Sequence, residues 1–212
     1  MTRALKIVPA NDTFAALIAF ADVLDGKLAL FISGPEVNGV KPEIADLPET
    51  VSDDTALILE TSGSTGIPKR ISISREALIA SAKASSFALD ADETSSQWLL
   101  ALPINYIAGA NVLIRSVMAG SQPVIMNTAL PFTAEAFARM ASQMKAEKRF
   151  TSLVPTQLGR LAQAIDQDKF LLEQMRRFDA ILVGGQAVDY QLLGRLEALD
   201  INIVTTYGLT ET

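Results

Sequence analysis

The chain has 212 residues, of which 49% are hydrophobic and only 6% aromatic, and it carries a formal net charge of −6. That length buries a substantial aliphatic core in one large or two modest domains, and the acidic balance excludes a broad basic face for nucleic acid or anionic membrane, though not an anionic small ligand held by backbone amides and a few cations. There is no cysteine and no histidine, which excludes disulfides, zinc–thiolate sites, a cysteine nucleophile and an imidazole base and leaves carboxylates, Lys, hydroxyls, backbone dipoles or a bound metal for any chemistry.

No apolar run reaches the ~18 residues of a membrane span. The N-terminal Met1-Thr2-Arg3-Ala4-Leu5-Lys6 has no long apolar stretch behind its basic residues, so a soluble cytoplasmic protein is expected. Thr13 is placed to cap a helix over 13–24, with Phe14, Leu17, Ile18 and Ala21 along one face. Residues 28–33 read as a short buried strand ended by Gly34-Pro35. Residues 35–54, with Pro35, Pro42, Pro48 and six acidic side chains, read as an irregular connector. An apolar strand over 55–61 runs straight into a Gly/Ser/Thr loop, a strand-like 70–74 follows, and Ser74 caps a helix to about residue 87. A strand over 98–102, a helix over 108–118 and a strand over 123–126 come next. Thr133 caps a helix carrying Phe137, Met140, Ala141 and Met144 at helical spacing. The chain then alternates strand 152–154, helix 156–165, strand 180–183, helix 190–199 and strand 201–205. This alternation predicts an α/β fold with a mainly parallel sheet flanked by helices, one unit over 1–212, with the Met, Phe and Leu stripes in its core.

The most informative stretch is Thr61-Ser62-Gly63-Ser64-Thr65-Gly66-Ile67-Pro68-Lys69. Gly63 and Gly66 let the backbone take positive φ and approach a ligand, the hydroxyls and amides donate to phosphate oxygens, and Lys69 adds a charge. The spacing does not match a Walker loop. By composition alone, a surface turn between strands reads equally well. Further on, Gly184-Gly185-Gln186 follows an apolar strand, which by itself is more often a plain turn than a nucleotide site. The chain closes on Tyr207-Gly208-Leu209-Thr210-Glu211-Thr212, which offers an aromatic face, a hydroxyl donor and a hard oxygen ligand for a hard cation.

In their order, these nine loop residues resemble the T-S-G-[ST]-T-G-x-P-K phosphate loop of the adenylate-forming superfamily of acyl-CoA synthetases, peptide-synthetase adenylation domains and luciferases. The resemblance extends over essentially the whole chain. It implies that Thr61, Ser62, Gly63, Ser64, Thr65, Gly66 and Lys69 hold ATP phosphates and that Gly184, Gly185 and Gln186 line the adenine pocket. It also implies that Tyr207 stacks on adenine beside Gly208, that Thr210 holds the α-phosphate and that Glu211 binds Mg²⁺. Gln186 stands where the family more often has a small or acidic residue.

Within that superfamily, Trp98-Leu99-Leu100-Ala101-Leu102-Pro103, the helix from Val112 to Gly120 and Thr151-Ser152-Leu153-Val154-Pro155-Thr156-Gln157-Leu158 resemble the o-succinylbenzoate–CoA ligases of actinobacteria. Tyr106, Gly109 and Arg115 fall in the element that gates the acyl pocket, although Asn105-Tyr106 stands in place of the expected His. Arg115 is a natural partner for a substrate carboxylate through a bidentate pair, or else a solvated charge on a helix face. The implied reaction takes ATP, Mg²⁺ and coenzyme A as cofactors or co-substrates and a small carboxylic acid as partner. An acyl adenylate forms first, then a thioester in menaquinone biosynthesis, and Lys69, Thr210 and Glu211 are the candidate catalytic residues. The resemblance further implies that a ribose-binding segment, a hinge and a lysine-bearing C-terminal domain belong to the family's architecture beyond these 212 residues, so that this chain alone is inactive. The alternatives are a ligase for another aryl or fatty acid, which the Asn105-Tyr106 departure favours, and a non-catalytic nucleotide-binding module.

Overall fold

Short aliphatic runs make the strands, and several are buried on both faces: every residue of Ala29–Ser33 and of Ala180–Val183 is buried, as expected of strands covered by helices or loops on each side. A computed structural model describes residues 1–36, 39–40, 44, 46–61, 69–91 and 95–208. The elements are β1 (Thr2–Pro9), α1 (Thr13–Leu24), β2 (Ala29–Ser33), β3 (Thr50–Ser52), β4 (Leu57–Thr61), β5 (Lys69–Ile73), α2 (Arg75–Ala88), β6 (Ser96–Leu100), α3 (Ile107–Met118), β7 (Val124–Ile125), α4 (Ala134–Ala141), β8 (Lys148–Leu153), α5 (Pro155–Ala164), α6 (Lys169–Arg176), β9 (Ala180–Val183), α7 (Tyr190–Glu197) and β10 (Ile203–Thr205).

The α/β class and the largely parallel pairing agree with the sequence reading, but the strands divide between two five-stranded sheets rather than one. The first has the order β3-β1-β2-β4-β5, parallel at its centre and antiparallel where β3 and β5 pair at the edges. The second has the order β10-β9-β8-β6-β7 and is parallel throughout. The second sheet's alternation of strand and helix was readable. In the first, β2, β4 and β5 were readable but β1 and β3 were not: β1 is interrupted by Arg3 and Lys6 and leaves Ile7 46% exposed, so it carries no clean apolar pattern.

Side-chain alternation along the second sheet sorts the core into two layers. Trp98, Leu100, Phe150, Ala180 and Leu182 point one way, and they join Leu30, Ile32, Leu57 and Leu59 of the first sheet and the buried faces of α1, α2 and α3 in one cluster. Leu99, Leu153, Ile181 and Val183 point the other way, onto α4, α5, α6 and α7. Helices α1 and α3 therefore lie between the sheets, with α2 packed against both helices, and Trp98 and Phe150 meet in this cluster with ring centroids 5.1 Å apart.

Helix starts follow side-chain caps. Ser74 and Thr133 accept from the backbone N–H groups of Ala77 and Ala136, as their positions predict. At α1 the cap is Asp12, accepting from Ala15 N at 3.0 Å, and not Thr13, which is the first helical residue. The buried face of α1 is also different from the expected one: Ala16, Ala19, Phe20 and Val23 are buried, while Phe14 and Ile18 are 69% and 51% exposed. The helix is apolar nearly all round, so periodicity did not single out its inner face, and the small Ala16 and Ala19 sit where α1 packs closely. Helix α6, capped by Asp168, and strand β3, within the expected connector, complete the elements that the sequence reading lacked.

Candidate functional site

In open parallel sheets the carboxyl ends of the strands leave a crevice at which backbone amides and helix N-termini are exposed. Here that crevice is a cavity of about 1010 Å³ at the carboxyl ends of β6, β8, β9 and β10. Leu102 and Pro103 after β6, Ser152 to Val154 at the end of β8, Gly184 and Gly185 after β9, and Thr206 to Gly208 after β10 form one side. The other side comes from Thr61 and Ile73 of the β4–β5 hairpin and from facing stretches of α2 (Ala77, Leu78, Ser81, Ser85) and α3 (Ile107, Ala108, Asn111, Arg115). The first turns of α3 and α5 both open on the cavity, through Ile107 and Gln157. Their N-termini give it a positive electrostatic bias suited to anions.

Several details hold these strand ends in register. Gln157 Nε2 donates to Ala101 O at 2.9 Å while its Oε1 accepts from Val154 N at 3.1 Å, tying the end of β6 to the start of α5. Thr206 N donates to Val183 O at 2.8 Å. Gly184 lies so close to Thr206 that an added Cβ would be 3.0 Å from its carbonyl oxygen and nearer still to its hydroxyl. Gly185 has φ +87°, a conformation that other residues rarely adopt. The paired glycines are thus what allows the turn after β9 to lie against the segment after β10.

Of the residues singled out from sequence, Thr61, Tyr106, Arg115, Gly184, Gly185, Tyr207 and Gly208 line this one cavity. Thr61 pairs directly with Lys69 across the hairpin, and its hydroxyl donates to Lys69 O at 3.3 Å. Lys69 is exposed at the hairpin's base. Gln186 is exposed just beyond the lining residues. Gly109 sits behind the wall: a Cβ there would be 2.7 Å from the carbonyl carbon of Pro103 and closer to its oxygen. Its part is to let α3 rest on the 102–103 backbone and so present Tyr106, which is 62% exposed, at the cavity mouth. Ser62, Gly63, Ser64, Thr65, Gly66, Thr210 and Glu211 lie outside the described residues.

Arg115 is buried rather than solvated on a helix face, with 9% of its surface accessible. Its guanidinium lies over the Trp98 ring, 4.9 Å from the centroid, and Nη2 donates to Ser85 Oγ at 3.0 Å. Nε has no hydrogen-bond partner, and no carboxylate pairs with the side chain among the described residues. Burial pushes its pKa down to about 10, so at neutral pH it is a charged, desolvated cation on the cavity wall. Ser81, Ser85, Asn111, Ser152, Gln157 and Thr206 were not singled out as site residues. Ser81 and Ser85 stand one helical turn apart on α2, but only the packing of α2 on α3 shows that they face Asn111 and Arg115.

Residues 7–212 match the family described as "AMP-binding enzyme". The chain is 35% identical over 210 residues, 99% of its length, to a "Probable 2-succinylbenzoate--CoA ligase" of Mycobacterium tuberculosis, of which it covers 53%. Among solved structures, a malonyl-CoA ligase in complex with methylmalonyl-CoA and AMP superposes with a TM-score of 0.73 at 19% identity, covering 99% of this chain and 52% of that one. The o-succinylbenzoate CoA synthetase of Bacillus subtilis bound to its acyl-adenylate intermediate gives a TM-score of 0.69 at 21% identity, over 99% and 49%. These two structural likenesses speak to the fold. The chain spans about half the length of the relatives it matches. With the profile matched almost end to end and the motif-bearing strand ends gathered around one cavity, the chain belongs to the AMP-binding enzyme family of adenylate-forming acid–CoA ligases.

Proposed function

We propose that the full-length protein carrying this chain is an ATP-dependent acid–CoA ligase whose acid is o-succinylbenzoate, acting in the cytoplasm in menaquinone biosynthesis. The observation that carries the choice of acid is Arg115. A buried guanidinium without a carboxylate partner among the described residues, on the wall of the cavity that also holds Thr61, Gly184 and Tyr207, is a receptor for an anionic group on the substrate. A dicarboxylic acid satisfies it with one carboxylate and presents the other for activation. The apolar surface of Ile73, Leu78, Leu102 and Leu182 in the same cavity suits the aromatic ring between them.

In the first step a carboxylate oxygen bonds to the α-phosphorus of ATP and pyrophosphate leaves. In the second, the thiol of coenzyme A adds at the acyl carbon, AMP leaves and the thiol proton passes to solvent or a carboxylate. The nucleophile of the first step is already an anion, so a chain without histidine is chemically adequate. The protein's share is positioning and charge neutralisation: Lys69 and the loop it closes for the phosphates, Gly184, Gly185 and Gln186 for the adenine edge, Tyr207 for its face, and Thr210 for the α-phosphate. Mg²⁺ usually takes one or two carboxylates together with substrate phosphates, which Glu211 fits as the single acidic residue of its motif; bound there, it would neutralise phosphate charge.

The test is thioester formation by the full-length protein from ATP, coenzyme A and a panel of acids. The expected outcome is preferential use of o-succinylbenzoate over benzoate and straight-chain fatty acids. Turnover of fatty acids with no response to o-succinylbenzoate would leave the family assignment standing and remove the substrate.

A further inference from the structure

A receptor arginine is useful only if its own protein does not neutralise it. Arg115 is held by two groups that carry no charge. The Trp98 ring lies 4.9 Å from the guanidinium carbon and fixes one face, and Ser85 fixes one edge at 3.0 Å. The hydroxyl of Ser85 gives its single proton to the carbonyl of Ser81, one helical turn back, at 2.8 Å. That leaves only its lone pairs for the guanidinium, so its orientation is set by α2 rather than by whichever ligand arrives. An aspartate at the same position would bond the arginine more strongly, but would cancel the charge that the cavity needs.

We propose that Ser85 is a positioning residue for acid recognition: by accepting from Arg115 Nη2 as a neutral, pre-oriented group, it holds the guanidinium against Trp98 with its charge available to a substrate carboxylate. This rests on the reading of Arg115 as the receptor for the acid's second carboxylate. Neither the family's phosphate-binding motifs nor their order in the sequence points to Ser85, which lies on a helix between them. A neutral hydrogen bond to a charged donor corresponds to roughly tenfold or more in an equilibrium, so a measurable specificity depends on it.

The experiment compares kcat/KM of the full-length protein for o-succinylbenzoate and for 4-oxo-4-phenylbutanoate, the same acid without its ring carboxylate. Ser85→Ala is expected to lower the ratio of the two about tenfold through the KM of o-succinylbenzoate, with the KM of ATP moving less than about twofold. Ser85→Thr, which keeps the hydroxyl, restores most of the ratio, and Ser85→Asp abolishes the preference as completely as Arg115→Gln does. The inference is overturned alone if Arg115→Gln erases the preference while Ser85→Ala and Ser85→Asp leave it intact. A uniform loss with both acids and ATP in Ser85→Ala, unrelieved by Ser85→Thr, also overturns it, by making the residue merely structural. If Arg115→Gln itself leaves the preference unchanged, the receptor reading fails, and this inference fails with it.

Discussion

At the scale of single residues, Arg115 and Gly109 show opposite relations between stability and function. Burying Arg115 disfavours its charged form, which is why its pKa falls from the ordinary guanidinium value to about 10. The sign of the linkage follows. Through neutral pH the folded and unfolded chains both carry the proton, so stability is flat on this account. Above about pH 10 the folded state releases it before the unfolded state does, so this group's contribution to stability rises with pH while the charge offered to an anionic substrate is lost. The preference for o-succinylbenzoate over its monocarboxylate analogue should therefore be level from pH 7 to 9 and fall above about 10, measured as the ratio of kcat/KM values. For the same reason, Arg115→Met should erase the preference without lowering the melting temperature, because exchanging a buried charge for an apolar side chain of similar length is often neutral or stabilising. A clear fall in melting temperature would show that the guanidinium is a structural cation. Gly109 is the converse case. A methyl group there meets the backbone of Pro103, which cannot move aside as a side-chain tip can. Gly109→Ala should destabilise by about 1–3 kcal/mol, as overpacking does, and displace Tyr106 from the cavity mouth. Chemical denaturation reads the first effect, and the KM for the acid reads the second.

At the scale of elements, the sequence was most legible where one local rule acted alone. Ser74 and Thr133 are hydroxyl caps immediately before a helical pattern, and both cap as expected. The buried run Ala180–Val183 was read to its last residue, because an all-aliphatic stretch ending in Gly184-Gly185 admits few alternatives. Legibility failed where two rules competed. Asp12 and Thr13 are both good caps, and only the geometry shows that Asp12 takes the position, with φ −94° and ψ 67°. Asp12→Ala should therefore cost about 0.5–2 kcal/mol, while Thr13→Ala, within the first helical turn, should cost a few tenths at most. Equal losses in urea titration would return the cap to Thr13. The candidate site divides in the same way. Loop residues carried a linear motif and were named, whereas Ser81, Ser85, Asn111 and Gln157 belong to the cavity only because α2, α3 and α5 converge on it. The β4–β5 hairpin joins the two kinds of information, because its antiparallel register sets Thr61 opposite Lys69 at the root of the motif. Lys69→Ala in the full-length protein should accordingly slow acyl-adenylate formation more than it weakens acid binding, since on the proposed reading it removes charge at the phosphates and leaves the Arg115 wall untouched. Pyrophosphate release against equilibrium binding of the acid separates the two.

At the scale of the whole molecule, two sheets with α1 and α3 between them and α2 packed against both helices place the wall proposed for the acid and the turns proposed for the nucleotide on opposite sides of one crevice. The acid wall comes from helices packed on both sheets, and the glycine and tyrosine turns come from the carboxyl ends of the second sheet alone. Tyr207, which lines the cavity, is 95% exposed. Such a crevice can bind, but it does not by itself exclude water from a reacting phosphorus, and water exclusion is what gives fixed charges their full effect in phosphoryl-type transfer. The chain spans about half the length of the relatives it matches. Losing one well-placed donor or cation at a transition state costs about 100- to 1,000-fold in rate. The 212-residue protein should therefore form acyl adenylate at least about 100-fold more slowly than the full-length ligase at saturating ATP and o-succinylbenzoate. If the difference is incomplete water exclusion rather than a disrupted cavity, Arg115→Gln should still weaken o-succinylbenzoate binding to the 212-residue protein in equilibrium dialysis. Pyrophosphate release by the short chain at close to the full-length rate would show that its described elements, with the motif loops they carry, suffice for the first half-reaction.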